Sequence, residues 1–216
     1  MPLITQEQIA APFIAGGWED RTVERDEPRF RRRVSDDIAI QAGLRPIVKG
    51  GSLRFAPNLG AQHEETGRLV TAFLGLPLSA GVNLSSTGVV LADVLYARGV
   101  ALTASRERWQ ITSPQQSDAV ASQVYSDIIE YGISELGGIR SLDDLIERLQ
   151  GQRRQQIQSG HLAVACGIAI RRAQAESALA EFAEPAQQQD GALLEQTRGF
   201  ISRFVEHFGF GAEYVR

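Results

Sequence analysis

Lysine and cysteine are nearly absent from this chain of 216 residues: Lys49 and Cys166 are the only examples, and there are three histidines. Desolvated lysines, thiolates and clustered imidazoles are common sources of Schiff bases, nucleophiles and metal sites. Because these side chains are scarce, the composition disfavours such chemistry, and we predict no cofactor and no metal site. The excess of arginine over lysine is typical of a GC-rich bacterial genome.

Long apolar runs are missing as well. Residues 1–20 lack the basic start and the continuous apolar stretch of a secretory signal. No segment approaches the ~18 uninterrupted apolar residues that a membrane span needs, and Cys166 has no second cysteine for an intrachain disulfide. We therefore expect a cytoplasmic protein without a membrane span. The formal net charge of −4 does not favour general binding to a nucleic-acid backbone.

The pattern of the chain changes near Ser113. Glycines, β-branched residues and short apolar runs are interleaved before this point, and helical spacing dominates after it. This order predicts an α+β fold. We expect a single domain, residues 1–216, in which an antiparallel sheet formed mainly by residues 44–112 packs against a set of about four helices within residues 113–210.

Spacing and stop residues predict the elements of the first half. A short helix is expected over residues 6–14, and a second over residues 28–42, where the glycine that follows supplies a C-terminal stop. Paired glycines predict a tight hairpin turn at residues 49–52. Residues 68–76 are expected to form a strand.

Residues 89–112 fit two interpretations. One is a helix that ends at Gly99; the other is a hairpin that turns at the same glycine. β-Branched and aromatic residues on both sides favour the hairpin. With a bulge near Ser105 or Arg106, the second arm would have one buried face. Trp109 would then point to the core, and Arg106 and Arg108 would face outward.

Helix starts are clearer in the second half. The run Ser113-Pro114-Gln115-Gln116 is typical of a capped helix start, and Ser141 with Asp144 indicates another. Two further helices are expected, one over residues 162–183, which a proline terminates, and one over residues 193–208, which a glycine closes.

Few residues suit catalysis. Asp93 lies among apolar residues, and on a central strand its carboxyl group would be desolvated and its pKa raised. Ser85 and Ser86 belong to a hydroxyl-rich loop. His63 adjoins two carboxylates but has no second histidine one turn later, so we expect a solvated loop there. An enzyme site would have to assemble from these four distant residues.

Two other patterns have structural interpretations. Arg29, Arg32 and Arg33 would share one face of the predicted helix over residues 28–42, where nearby carboxylates favour local ion pairing at a solvated surface. Cys166 lies in an apolar run, so we expect a buried thiol with a raised pKa.

The missing catalytic pattern and the mildly acidic balance favour a non-enzymatic bacterial protein-binding module of the immunity-protein, chaperone or adaptor type. Its general character is similar to that of secretion chaperones and toxin-immunity proteins, although no motif ties the chain to either. Tryptophan and arginine are enriched at binding hot spots, so Arg106, Arg108 and Trp109 are the predicted binding residues. The expected partner is another protein, such as a toxin or secreted effector, or copies of the same chain.

Two alternatives stay open. One is a subunit of a larger homo-oligomeric, phage or secretion assembly, in which copies of the chain would cover exposed Phe208 and Phe210. The other is an enzyme whose site combines Asp93 and His63 with the two serines, Ser85 and Ser86. The sequence alone does not choose between them.

Overall fold

The computed structural model describes residues 3–22, 27–77, 84–152, 154–187, 191–211 and 214; the side chains of residues 105, 106, 186 and 187 also lie outside the description. The strands are β1 Glu19–Asp20, β2 Arg29–Arg33, β3 Ile38–Lys49, β4 Ser52–His63, β5 Thr87–Val90 and β6 Gln110–Ile111. The helices of the first part are α1 Gln6–Ala15, α2 Glu64–Phe73, α3 Leu91–Ala97 and α4 Leu102–Glu107. A 3₁₀ turn, Pro114–Gln116, and a π-helical turn, Ile128–Gly132, flank α5 Ser117–Asp127. The remaining helices are α6 Ile133–Leu136, α7 Leu142–Gln150, α8 Gln156–Ile168, α9 Arg172–Gln187 and α10 Ala192–Phe208.

The described strands form one six-stranded antiparallel sheet in the order β1-β2-β3-β4-β5, and β6 pairs with β4. Helices dominate after Ser113, so the predicted α+β class is confirmed. Gly50 and Gly51 both have positive φ angles, 59° and 79°, which the tight turn between β3 and β4 requires. The hairpin predicted there is confirmed.

The helix predicted over residues 28–42 is wrong, because this segment forms β2 and the start of β3. Apolar residues four apart, such as Phe30 and Val34, fit a helix as well as a strand. Strand pairing decides between them: Arg29 lies opposite Gly43 and Arg33 opposite Ala39. Three consecutive residues of β3, Ile38–Ile40, are fully buried, as is typical of a central strand with both faces covered.

The strand predicted over residues 68–76 is also wrong; most of it belongs to α2. His63 caps this helix by accepting a hydrogen bond from the Thr66 backbone N–H, and two glutamates in the first turn complement the helix dipole. Leu69, Val70 and Phe73 form its buried stripe.

The hairpin favoured for residues 89–112 is wrong, and the helical alternative is confirmed for its first arm. Leu91, Val94 and Leu95 are the buried face of α3, and the chain leaves the helix at Gly99, whose φ is 88°. The second arm forms α4, and only Gln110–Ile111 is a strand.

The chain divides into two compact units: residues 1–34, 39–61 and 88–138 in the first, and residues 35–38, 62–87 and 139–216 in the second. In the first unit Phe13 stacks on Phe30 with 4.0 Å between ring centroids and meets Trp18 and Tyr125 edge-on. In the second unit α8 packs against α9 and α2, and its residues 159–167 are all buried. That the two units unfold together as one domain stays a prediction.

The helix predicted over residues 162–183 is in fact two helices, α8 and α9. The chain turns at Ile170, which has a φ of 57°. The backbone N–H groups of Ile170 and Arg171 donate to the carbonyls of Gly167 and Cys166, the hydrogen-bond pattern of a Schellman motif. Glycine is the usual residue at this left-handed position, so the sequence gives no warning of the break.

Replacing Ile170 with glycine is expected to raise the free energy of unfolding by about 1 kcal/mol. A β-branched side chain is strained at this φ, and that of Ile170 is 89% exposed, so little packing is lost. Chemical denaturation measures the change. Ile14→Gly is the matched control, since Ile14 lies in α1 and is also exposed; it should lower stability by about 1 kcal/mol. A loss of stability in both variants would contradict the assignment of strain.

For three side chains of the second unit, the sequence predicts burial or exposure that the structure can be compared with. Cys166 is buried, as predicted, and desolvation raises the pKa of its thiol to about 11. Phe208 and Phe210 are not freely exposed. Both are half-buried, with ring centroids 4.8 and 5.5 Å from that of Phe204, and the Arg172 guanidinium lies over Phe210.

Candidate functional site

The Asp127 carboxylate is the centre of a buried polar network at the end of α5. It is only 1% exposed. Its oxygens accept two hydrogen bonds from the Arg108 guanidinium, at 3.0 and 2.7 Å, and one from Trp109 Nε1 at 2.9 Å. Gln123 donates a fourth at 2.9 Å. The guanidinium thus supplies an opposite charge, and three side chains together provide the hydrogen bonds that a buried carboxylate group requires.

This network places two of the three predicted binding residues. Trp109 lies in the core, 1% exposed, while the Arg108 side chain is 37% exposed and is ion-paired with Asp127. The predicted strand that was to carry them is instead the turn after α4. The side chain of Arg106 lies outside the described residues. A role for these residues in binding stays a prediction.

A groove of about 520 Å³ lies beside α3 in the first unit. Its lining combines apolar residues with three charged side chains; the lining residues are Gly88, Val89, Val90, Asp93, Val94, Ala97, Arg98 and Glu135. Arg98 is held in place, since it donates to Ser134 Oγ at 3.0 Å and lies 5.5 Å above the Tyr131 ring centre. We call this groove, together with exposed Tyr96 and Leu102, the α3 surface.

The α3 surface includes three exposed apolar or aromatic side chains. Val90 is 48% exposed, Tyr96 is 60% exposed and Leu102 is 37% exposed, all within one stretch of the chain. A tyrosine with an apolar ring and a polar hydroxyl group suits a contact that is dry on one side and wet on the other. The arrangement can therefore accept an apolar side chain with charged neighbours.

Of the four residues named for an enzyme site, His63 and Ser86 do not form a nucleophile–base pair in the described part of the chain. Asp93 belongs to the first unit, whereas His63 and the two serines belong to the second. Nδ1 of His63 serves the cap of α2, and the buried Ser86 hydroxyl has no hydrogen-bond partner. His63 is therefore not bonded to Ser86.

The solvated loop predicted around His63 is wrong. The side chain ends β4, is 7% exposed and lies 3.0 Å from the Thr66 hydroxyl. Burial lowers the pKa of His63, and the carboxylates of Asp37, Glu65 and Glu64 oppose that shift. A neutral imidazole can accept the hydrogen bond of the helix cap, whereas an imidazolium cannot.

The arginine cluster of residues 29–33 lies on strand β2, whereas the sequence predicted a helix there. On β2 the side chains of Arg29, Arg31 and Arg33 share one face, whereas the predicted helix grouped Arg29 with Arg32 and Arg33. Phe30 faces the opposite way, into the core. Alternation of arginine with phenylalanine was the pattern that could have indicated a strand.

Comparison with known proteins gives no relative: no protein-family model, curated protein or solved structure matches the chain. Across the described ranges, no helix combines the length and the apolar character required to traverse a bilayer. The same ranges contain no group of three or more histidine, cysteine or acidic side chains arranged to hold a metal ion. The geometry of the chain is thus the sole guide to function.

Proposed function

We propose that this chain is a non-enzymatic protein-binding module of the immunity-protein, chaperone or adaptor type, acting in the cytoplasm of a bacterium. Its partner would be another protein, such as a toxin or a secreted effector, which docks on the α3 surface. Two observations carry the proposal: Val90, Tyr96 and Leu102 are exposed apolar side chains within one stretch of the chain, and Val90 lines a groove that combines apolar and charged residues.

This combination of residue types is similar to that of a protein–protein interface. Interfaces combine an apolar, aromatic-rich centre with a polar rim that stays in contact with water. Tyrosine is among the residues most enriched at binding hot spots. Asp93 and Arg98 of the groove lining have side chains of opposite charge, so a partner would need matched charges in a fixed register, which favours specificity over raw affinity.

The helix that carries the α3 surface also has a buried face that packs against the rest of the unit. Leu91 and Leu95 on the opposite side of α3 are fully buried, and α3 contacts both α4 and the π-helical turn. A docking face on rigid elements loses little conformational freedom when the partner binds, which lowers the entropic cost of association.

Asp93 in the groove also keeps the enzyme alternative in view, because a carboxylate beside an apolar cavity can act as a general acid or base. The two functions differ in one expected result: Asp93→Asn should abolish the reaction of such an enzyme, whereas in a binding module it should only weaken binding, because it removes one of the charges that the partner matches. A second copy of this chain is the alternative occupant of the α3 surface, and the oligomeric state of the protein in solution separates that outcome.

The double variant V90D/Y96D is expected to lose its protein partner. Tagged full-length chain serves as bait in an extract of the cells that produce it, and each co-purified protein is quantified. A specific partner should be recovered with wild type. Its recovered amount should fall about tenfold or more with V90D/Y96D, because charges replace two apolar contacts that together contribute about 1.4 kcal/mol or more. Val90 precedes α3 at its N-cap, where aspartate is a favoured residue, so the fold should survive.

Ile170→Asp is the matched control, because Ile170 is an exposed isoleucine of the second unit. It should retain the partner. Equal recovery of every protein with wild type and with V90D/Y96D would refute the proposed surface. If wild type is instead a dimer by light scattering and V90D/Y96D a monomer, the partner is a second copy of the chain.

A further inference from the structure

A second surface of the first unit is positively charged, although the chain as a whole has a net negative charge. On β3, Arg45, Ile47 and Lys49 lie on the face of the sheet opposite the buried Leu44, because side chains alternate along a strand. On β4, Arg54 and Asn58 point the same way: Phe55 and Leu59 are buried. A Cβ atom at Gly43 would lie 2.8 Å from the Asn58 side chain and 2.5 Å from the Glu27 carboxylate, so Asn58 and Glu27 both lie on this face.

Three cations surround one apolar side chain on this face. The two-residue turn pairs Lys49 with Ser52, so counting back along both strands places Arg54 beside Ile47. Arg45 and Lys49 lie two residues to either side of Ile47 along β3, at a Cα distance of about 7 Å. We call Arg45, Ile47, Lys49 and Arg54 the cationic cluster.

The cations of the cluster have no acidic partner among the described residues. The acidic side chain on this face, Glu27, is ion-paired with Arg29 and accepts a hydrogen bond from Asn58 at 3.1 Å. Arg45 and Lys49 are exposed, and Arg54 is half-buried. Like charges on neighbouring strands repel one another, so the cluster costs stability unless an anionic group neutralises it.

We propose that the cationic cluster binds an acidic segment of a polypeptide. Aspartate and glutamate side chains would pair with Arg45, Lys49 and Arg54, and an apolar side chain between them would cover Ile47. Guanidinium groups bind carboxylates through two parallel hydrogen bonds, which gives the contact a defined geometry. This surface is separate from the α3 surface and does not depend on the function proposed for it.

Charge favours a polypeptide over a nucleic acid. Binding of a polyphosphate backbone requires a continuous positive field, whereas the Glu27 carboxylate lies on the same face of the sheet and the chain as a whole has a net charge of −4. An apolar residue at the centre of the cluster also has no phosphate to meet. An acidic segment with one apolar residue satisfies both features.

Fluorescence anisotropy with the full chain and a labelled poly-glutamate peptide tests the proposal. Wild type should bind the peptide, and raising salt from about 0.05 to about 0.3 M should weaken binding markedly, since the Debye length shortens. R45E/K49E/R54E should weaken binding at least about tenfold. R45Q/K49Q/R54Q, which removes the charges without reversing them, should weaken it less, and thermal melting checks that both variants are folded.

The control variant R68E/R172E/R198E makes the same change in net charge on helices of the second unit, at side chains that are more than half exposed. It should bind the peptide nearly as wild type does. Equal losses in the two charge-reversal variants would overturn the proposal, because net charge alone would then govern binding. Absence of peptide binding by wild type at low salt, or tighter binding of a single-stranded oligothymidine, would also overturn it. V90D/Y96D should bind the peptide normally, which keeps this test independent of the α3 surface.

Discussion

Replacing Asp127 with alanine is expected to lower the free energy of unfolding by about 3 kcal/mol. The change leaves the buried Trp109 Nε1–H without an acceptor and removes both hydrogen bonds to the Arg108 guanidinium. The Arg108 side chain is 37% exposed, so water can still solvate its charge in the variant. The expected loss is therefore smaller than the free energy of burying an isolated ion. Urea denaturation at neutral pH measures the loss.

Asp127→Asn separates charge from shape, because the amide keeps the volume and one acceptor oxygen. It should cost less than alanine does. Trp109→Phe removes the indole donor, so a double-mutant cycle with Asp127→Asn should give a coupling energy above about 0.5 kcal/mol. Asp143→Ala is the control: its side chain is 71% exposed and pairs at the surface with Arg171, so the loss should stay within about 1 kcal/mol. Comparable losses at Asp127 and Asp143 would show that the network stabilises little.

Acidification from pH 7 to pH 4 is expected to remove about 3 kcal/mol of stability through His161 alone. The side chain is fully buried in α8, and neither ring nitrogen has a hydrogen-bond partner in the described structure. Desolvation disfavours the charged imidazolium and lowers the pKa of His161 to about 4, from an ordinary value of 6.5. Between these two values the unfolded chain binds a proton that the folded chain does not, so stability is intact above pH 6.5 and is lost as the pH falls towards 4.

His161→Leu isolates this contribution from the other groups that titrate in acid. At pH 7 the variant should be at least as stable as wild type, because leucine fills the site without two unsatisfied nitrogens. Its advantage should then grow by about 3 kcal/mol by pH 4. Urea denaturation of both proteins at a series of pH values measures the difference. Parallel stability curves for the two proteins would show that the imidazole is hydrated or hydrogen-bonded in solution.

The elements that the sequence determined are those with local causes. Ser141 and Asp144 form a reciprocal capping box at the start of α7, and the bonds involved span three residues. The turn at Gly50-Gly51 follows from the backbone angles that glycine alone adopts without strain. The apolar run around Cys166 predicted a buried segment for the same reason, since its composition leaves no polar face.

Tertiary structure decided the elements whose local pattern fits more than one conformation. Residues 29–33 form a strand because each of them pairs with a residue of β3. The free energy of this pairing depends on residues outside the local segment, so the local sequence does not indicate it. Residues 64–73 became a helix because His63, at the end of a long strand, was positioned to cap it.

The candidate sites were decided in the same way. Asp127, 18 residues beyond Trp109, compensates its indole and the Arg108 charge, and the sequence analysis did not single this aspartate out. The cationic cluster arises only when a hairpin turn brings Arg54 of β4 beside Ile47 of β3. The sequence thus determined caps, turns and burial, which depend on neighbours in the chain. Only the tertiary structure set strand pairing and charge placement, because those free energies depend on residues that are distant in the chain and adjacent in space.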